Sequence, residues 1–436
     1  MILKICALFF LLIISTAGKS QDRMDVAEEV VDNYMSYSRV LVQNTVGYSA
    51  PVSARSYAYI SIAAHEAAAS FSPEITALHE RLSRFSYALP PVESDNCALP
   101  IVLNQVYYNM MSYLFRGAPN YYLDKLKLIY DKHDRQLTKS YSKRVRKRSK
   151  VYADHLTSAL IEWSKLDQGD EAFLNNYSPD FEIESCDSCW VQTTPGYLPA
   201  LLPYWKKNKP FISGVRDVTN GYATMTFDED SSSLLFREAY DVYLNSEDNN
   251  LEFQTIAEYW DDGTGISGTP SGHLFSIAQQ LSAQKGLPLF DKLKLFATLG
   301  IVLNDVVIVC WELKYQHNFI RPITYIQRLI YPQFNTRIDT PSFPESPSGH
   351  SFHSGAAGAV FKSFFGNTIQ FTDSTNMNRP DIIGDPRYFN SINQLVEEIS
   401  ISRFYGGIHF RKTLSESLLY GEKLGVFILE KLETQE

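Results

Sequence analysis

Apolar positions recur along most of the chain three or four residues apart, the spacing of a helix face, and the strict alternation of a half-buried strand is rare. That period predicts helices over 24–44, 51–71, 99–115, 120–133 and 136–166. A stretch over 167–235, punctuated by Pro179, Pro195, Pro199, Pro203 and Pro210, reads as loop. Helical spacing resumes over 231–244, 250–261, 272–284, 289–313, 350–365, 390–404 and 412–432, so the expected class is all-α. No internal repeat is visible.

The first residues follow a different rule. Lys4 precedes an apolar run from Ile5 to Ile14, and Ser15-Thr16-Ala17-Gly18 supplies small residues for cleavage, so residues 1–21 are expected to be a signal peptide. The run is shorter than the roughly 20 apolar residues that cross a bilayer. Cys6 lies inside the run and not after it, which argues against a lipoprotein site. Further on, the apolar stretch from Leu299 to Trp311 is interrupted by Asn304 and Asp305, so no membrane span is expected and the mature chain is expected to be exported, to a periplasm or beyond.

Forty basic against forty-nine acidic side chains leave a net charge of −9, which argues against a protein that coats nucleic acid. The basic run Lys143 to Arg148 reads as the solvated face of a helix. Past the signal region stand Cys97, Cys186, Cys189 and Cys310. Cys186-Asp187-Ser188-Cys189 lacks the second pair or histidine cluster of a zinc site, and a local disulfide is the favoured reading in an exported chain. Cys310, in an apolar helix, reads as core.

Chemistry concentrates in the last third. Lys314 stands seven residues before Arg321-Pro322, and on a helix that spacing is close to two turns, so both cations are expected on one face. Pro347-Ser348-Gly349-His350 opens a helix whose first N–H groups and positive dipole end are free for an anion, and Gly349 permits close approach. Ser402-Arg403 is followed by Gly406-Gly407, a turn signal, and His409. Three cations converging beside a helix N-terminus make a site for a tetrahedral oxyanion. His317 and His353 match no role in this pattern and read as helix surface or packing. A second Pro270-Ser271-Gly272-His273 has no lysine–arginine motif before it and reads as a loop and helix start without a catalytic part.

The combination of K-x6-RP, PSGH and SR-x5-H resembles the superfamily that joins type 2 phosphatidic acid phosphatases, bacterial class A acid phosphatases and vanadium-dependent haloperoxidases. Length and the absence of spans match the haloperoxidase branch. So do Ala257-Glu-Tyr-Trp260-Asp-Asp-Gly263, Trp311 three before Lys314, Phe343-Pro-Glu-Ser-Pro-Ser-Gly-His350, the Trp/Pro-rich Trp190 to Phe211, and Ser53 to Ala69. The resemblance implies two helical bundles, expected at 22–190 and 191–436, with the second carrying a vanadate site. It implies that His409 donates to vanadium and that Lys314, Arg321 and Arg403 neutralise the vanadate oxygens, with hydrogen bonds from Ser348 and Gly349. His350 becomes the acid–base group for hydrogen peroxide. Trp311, Phe343 and Tyr259 are expected at the halide pocket, and Asp262 to orient an arginine. The expected function is oxidation of halide to hypohalous acid, with iodide favoured and bromide possible; oligomeric state is left open. Two other readings use the same residues: a phosphatase with His409 as nucleophile, and a non-catalytic oxyanion-binding scaffold. The family often places Asp four residues after the histidine to orient its ring; Thr413 stands here, which leaves the orienting group open between another carboxylate, a backbone carbonyl and Thr413 itself.

Overall fold

A computed structural model of the chain describes residues 24–434, apart from 73–74, 84, 86 and 93–95. The expected signal peptide over 1–21 lies outside the described residues. Helices dominate: α1 (24–44), α2 (Ala50–Ala69), α3 (Leu99–Leu114), α4 (Asn120–Thr138) and α5 (Lys143–Ser164) precede a loop-rich segment with short 3-10 turns. Then come α6 (Leu234–Glu247), α7 (Leu251–Tyr259), α8 (Thr269–Lys285), α9 (Leu289–His317), α10 (Pro322–Leu329), α11 (Gly349–Phe365), α12 (Ile392–Tyr405) and α13 (Arg411–Glu433). One small antiparallel ribbon pairs β1 (Phe371–Asp373) with β2 (Arg387–Phe389), Phe371 facing Phe389 and Asp373 facing Arg387.

Two helices are enclosed on every side: almost every residue of α2 is buried, and α9 is buried without a break over 295–311. They pack on each other so closely that a Cβ at Gly300 would come within 2.8 Å of the Ala58 Cα. α9 also packs against α11, α8 and α13, and one continuous apolar cluster runs from Ala27 in α1 to Leu432 in α13. α9 is long and apolar enough to cross a membrane by length and composition, but 94% of that window is buried inside the protein.

Three local features depart from the periodicity. The helix expected over 136–166 is broken at 139–142, where Ser142 caps α5 by accepting from the Val145 N–H at 3.3 Å. α9 ends at His317 with Asn318 left-handed (φ 46°), so Lys314 and Arg321 do not share a helix face. Arg321 is instead the N-cap of α10, and Pro322 is the first residue of that helix.

Candidate oxyanion site

Four helix ends bring the motif residues together: the end of α9, the N-cap of α10, the start of α11, and the turn from α12 to α13. Lys314 is fully buried and its Nζ donates to the carbonyls of Pro344 (2.9 Å), Glu345 (3.2 Å) and Pro347. Arg321, also fully buried, donates through Nε to the Phe343 carbonyl at 3.0 Å and through Nη1 to that of Ile408 at 2.9 Å. Arg403, 2% exposed, donates through Nη1 to the Trp260 carbonyl at 2.5 Å, and its Nη2 stands 3.9 Å from Asp261. Each guanidinium keeps one buried nitrogen, Nη2 of Arg321 and Nε of Arg403, with no protein partner among the described residues. Such orphaned charged donors are costly unless a ligand completes them.

Electrostatics point the same way. Burial pushes the Lys314 ammonium down, and Arg321 adds to the shift. Burial also pulls the Arg321 guanidinium down to about 10, with Arg403 lowering it further. Cations so placed repel one another in a medium of low polarity, and an anion among them relieves that repulsion.

His409, 3% exposed, is presented by a turn in which Gly407 is left-handed (φ 81°). Its Nδ1 meets Glu345 Oε1 at 2.8 Å, and its Nε2 lies 3.2 Å from Arg321 Nη1. Glu345 is the group that orients the ring. Its Oε1 also accepts from the Phe410 N–H at 3.2 Å, and its Oε2 accepts from Thr413 Oγ1 at 3.0 Å. Thr413, standing where Asp is common, thus holds the carboxylate rather than the imidazole. Burial and the three cations keep the His409 ring well below its usual pKa, hence neutral. With Nδ1–H donated to Glu345, the lone pair falls on Nε2, on the side of Arg321. Glu345 was not singled out in the sequence; its position inside Phe343-Pro-Glu-Ser-Pro was the available signal.

Ser348 caps α11, accepting from the Ser351 N–H at 3.4 Å, and its own N–H donates to Ser417 Oγ at 2.9 Å. A Cβ at Gly349 would meet only Trp311, at 4.0 Å, so the start of α11 has open space beside it. His350 is half-buried with Nε2 3.5 Å from Arg403 Nη1; burial and then Arg403 hold its ring well below the usual range. His353, one turn on, bonds the Gly349 carbonyl through Nδ1 at 2.8 Å, while its buried Nε2 is unpartnered among the described residues. His317 packs near Tyr222 with its Nε2 likewise unpartnered.

Trp311 and Phe343 stand against each other with centroids 5.0 Å apart, and both Lys314 Nζ (4.7 Å) and the Arg321 guanidinium (5.2 Å) lie over the Phe343 ring. They wall the cationic pocket. Tyr259 is not brought there: its hydroxyl donates to the side chain and carbonyl of Asp373. Nor does Asp262 bond Arg403 directly; both its carboxylate oxygens meet Nδ1 of His273. The Cys186–Cys189 disulfide forms, and its loop pairs with the segment before Arg321, Ser188 accepting from the Ile320 N–H at 2.8 Å. Cys310 is buried.

The donor set suits an oxyanion better than a bare cation. Among the described residues no group of three or more His, Cys, Asp and Glu could chelate a metal ion. Three cations, a helix start, two orphaned N–H donors and one neutral imidazole, whose Nε2 lone pair accepts from Arg321 Nη1 at 3.2 Å, fit vanadate, a metal that arrives already dressed in anionic oxygens.

Residues 294–333 and 330–435 match the family profile of the VCPO second helical-bundle domain. Vanadium-dependent bromoperoxidases of Corallina pilulifera and Corallina officinalis are 29% and 28% identical to the chain over 99 residues. Those matches span 21% of this chain and only 17% of either relative. The crystal structure of the first bacterial vanadium-dependent iodoperoxidase superposes with a TM-score of 0.82 at 25% identity, covering 94% of this chain and 98% of that one. A holo-type bacterial vanadium-dependent chloroperoxidase follows at 0.67 and 15% identity, covering 90% and 93%.

Proposed function

We propose that this chain, which belongs by fold and by its C-terminal bundle with the vanadium-dependent haloperoxidases, binds vanadate in the cationic cradle and oxidises halide with hydrogen peroxide. The observation that carries the reading is the pair of buried guanidinium nitrogens, Nη2 of Arg321 and Nε of Arg403, without a partner among the described residues.

In this reading Lys314, Arg321 and Arg403 hold the anion's oxygens, helped by the Ser348 hydroxyl and the Gly349 N–H, and His409 offers its Nε2 lone pair. When bound, vanadate supplies a Lewis-acid centre that makes peroxide oxygen electrophilic without a change of oxidation state. Glu345 keeps the His409 Nδ1 proton in place, so Nε2 stays available as a ligand. His350, neutral and at the half-buried edge of the cradle, would take a proton from entering hydrogen peroxide at its ring and give it to the departing hydroxide, which leaves as water. Lys314, whose three N–H groups go to the Pro344, Glu345 and Pro347 carbonyls, is fixed in one place and acts on the anion through its charge rather than through a hydrogen bond of its own. Trp311 and Phe343 exclude water from the halide side. An apolar aromatic wall favours the weakly hydrated iodide over smaller halides, in keeping with the likeness to an iodoperoxidase.

The bundles at 22–190 and 191–436 and export of the mature chain belong to the same proposal; a disulfide at Cys186–Cys189 fits an oxidising compartment. The test is iodide oxidation by the purified chain with hydrogen peroxide, before and after orthovanadate, beside a p-nitrophenyl phosphate assay. Vanadate-dependent triiodide formation, lost in His409→Ala, is the expected result. Ester hydrolysis abolished by vanadate, with no halide oxidised, would place the chain with the phosphatases instead.

A further inference from the structure

The second Pro-Ser-Gly-His copy lies on α8, and His273 is its buried end, 2% exposed. Its Nδ1 meets Asp262 Oδ1 and Oδ2 at 3.1 and 2.9 Å, and its Nε2 meets Asp373 Oδ2 at 2.8 Å. A ring with a carboxylate at each nitrogen donates from both, and so carries both protons. Burial alone would strip one of them, but Asp262 and Asp373 reverse the effect and hold the ring up at about 10. Asp373 is fixed from the far side by the Tyr259 hydroxyl at 2.9 Å and by Gln280 Nε2 at 3.2 Å.

This assembly leads to the cradle through one residue. The His273 ring stacks on the Trp260 indole, centroids 4.5 Å and planes 24° apart, and the indole Nε1 donates to Glu398 at 3.0 Å. The carbonyl of Trp260 is the anchor of Arg403 Nη1. Asp261 and then Asp262 attract Arg403, yet both oxygens of Asp262 meet Nδ1 of His273. Without the ring, a buried carboxylate would compete with the anion for the guanidinium.

We propose that His273, clamped between Asp262 and Asp373 and stacked on Trp260, is a positioning residue for Arg403. It fixes the carbonyl that anchors Nη1 and occupies a carboxylate that would otherwise draw the guanidinium out of the cradle. The proposal rests on the reading that Arg403 binds an oxyanion.

The experiment is equilibrium binding of orthovanadate and of inorganic phosphate to the wild-type chain, His273→Gln, Arg403→Ala and the double variant, with thermal unfolding recorded beside each. His273→Gln should weaken both anions roughly 10- to 100-fold. In the Arg403→Ala background the same change should cost less than about twofold, because its effect runs through that guanidinium. An equal loss in both backgrounds, or no loss in either, overturns the proposal. If His273→Gln does not fold, Asp373→Asn serves in its place, loosening the ring while leaving the Asp262 charge: a milder loss, again confined to chains that keep Arg403, supports the proposal, and an equal loss in both backgrounds, or none, sinks it. A wild-type chain that binds neither anion sinks the functional reading and this proposal together, whereas tight binding unchanged by His273→Gln sinks the proposal alone.

Discussion

The ring of His409 is set by a carboxylate 64 positions earlier in the chain, and that carboxylate by a hydroxyl four positions after the ring. Removing it in Glu345→Ala leaves Nδ1 without its acceptor and frees the imidazole to turn. Vanadate affinity is expected to fall about 10- to 100-fold, as for other partners that orient a metal-binding histidine, and Thr413→Val should cost less; ultrafiltration with orthovanadate measures both. The motif residues themselves were legible because together they match the K-x6-RP, PSGH and SR-x5-H pattern of the family that the chain resembles. Glu345 was not, since nothing in a linear spacing says which distant carboxylate meets which ring; for the same reason the clamp of Asp262 on His273 and the bond of Tyr259 to Asp373 could not be read from the sequence. His273 gives a stability prediction of definite sign. Its pKa is raised to about 10 from 6.5, so its contribution is complete below 6.5 and is lost as pH climbs through about 10. Asp373, pulled down to about 2 despite its burial, contributes above 3.8 and loses that contribution as pH falls through about 2. Urea unfolding should therefore show stability declining between pH 7 and 10, and His273→Gln should flatten that limb; an unchanged slope would contradict the buried ion triad.

At the scale of elements, the cradle depends on how closely α11 and α13 approach, since one starts at Gly349 and the other just after His409. Small residues allow the approach: a Cβ at Gly421 would sit 2.4 Å from the Phe352 carbonyl oxygen, and one at Gly355 would sit 2.4 Å from that of Leu418. Gly421→Ala must push the helices apart against rigid backbone. A destabilisation of about 1–3 kcal/mol is expected from the urea midpoint, together with weakened vanadate binding because both helix starts move. The long helices were legible because each keeps its period over several turns. α10 was not, because Arg321-Pro322 carries the same stop signal whether a helix ends or begins there. The strands β1 and β2 are three residues each, too short for alternation to register.

The whole molecule turns on α9, which lies against α2 in the first part of the chain and against α11 and α13 in the second. A piece comprising residues 191–436 would carry every motif residue and yet present the bare α2-facing side of α9 to water. Expressed alone, it is expected to lack a cooperative melting transition and to precipitate, which circular dichroism and sedimentation would register; a soluble, sharply melting fragment would contradict this. The match to the second-bundle profile opens at residue 294, already inside α9, whereas the partner that shields that helix begins at Ala50. The border of that bundle and the border of what folds together thus differ in the same chain. A C-terminal half exchanged between two relatives would have to match the recipient's α2 contact by contact, down to the Gly300–Ala58 crossing, so recombination in this architecture is constrained by an inherited seam and not by the catalytic residues it would carry across.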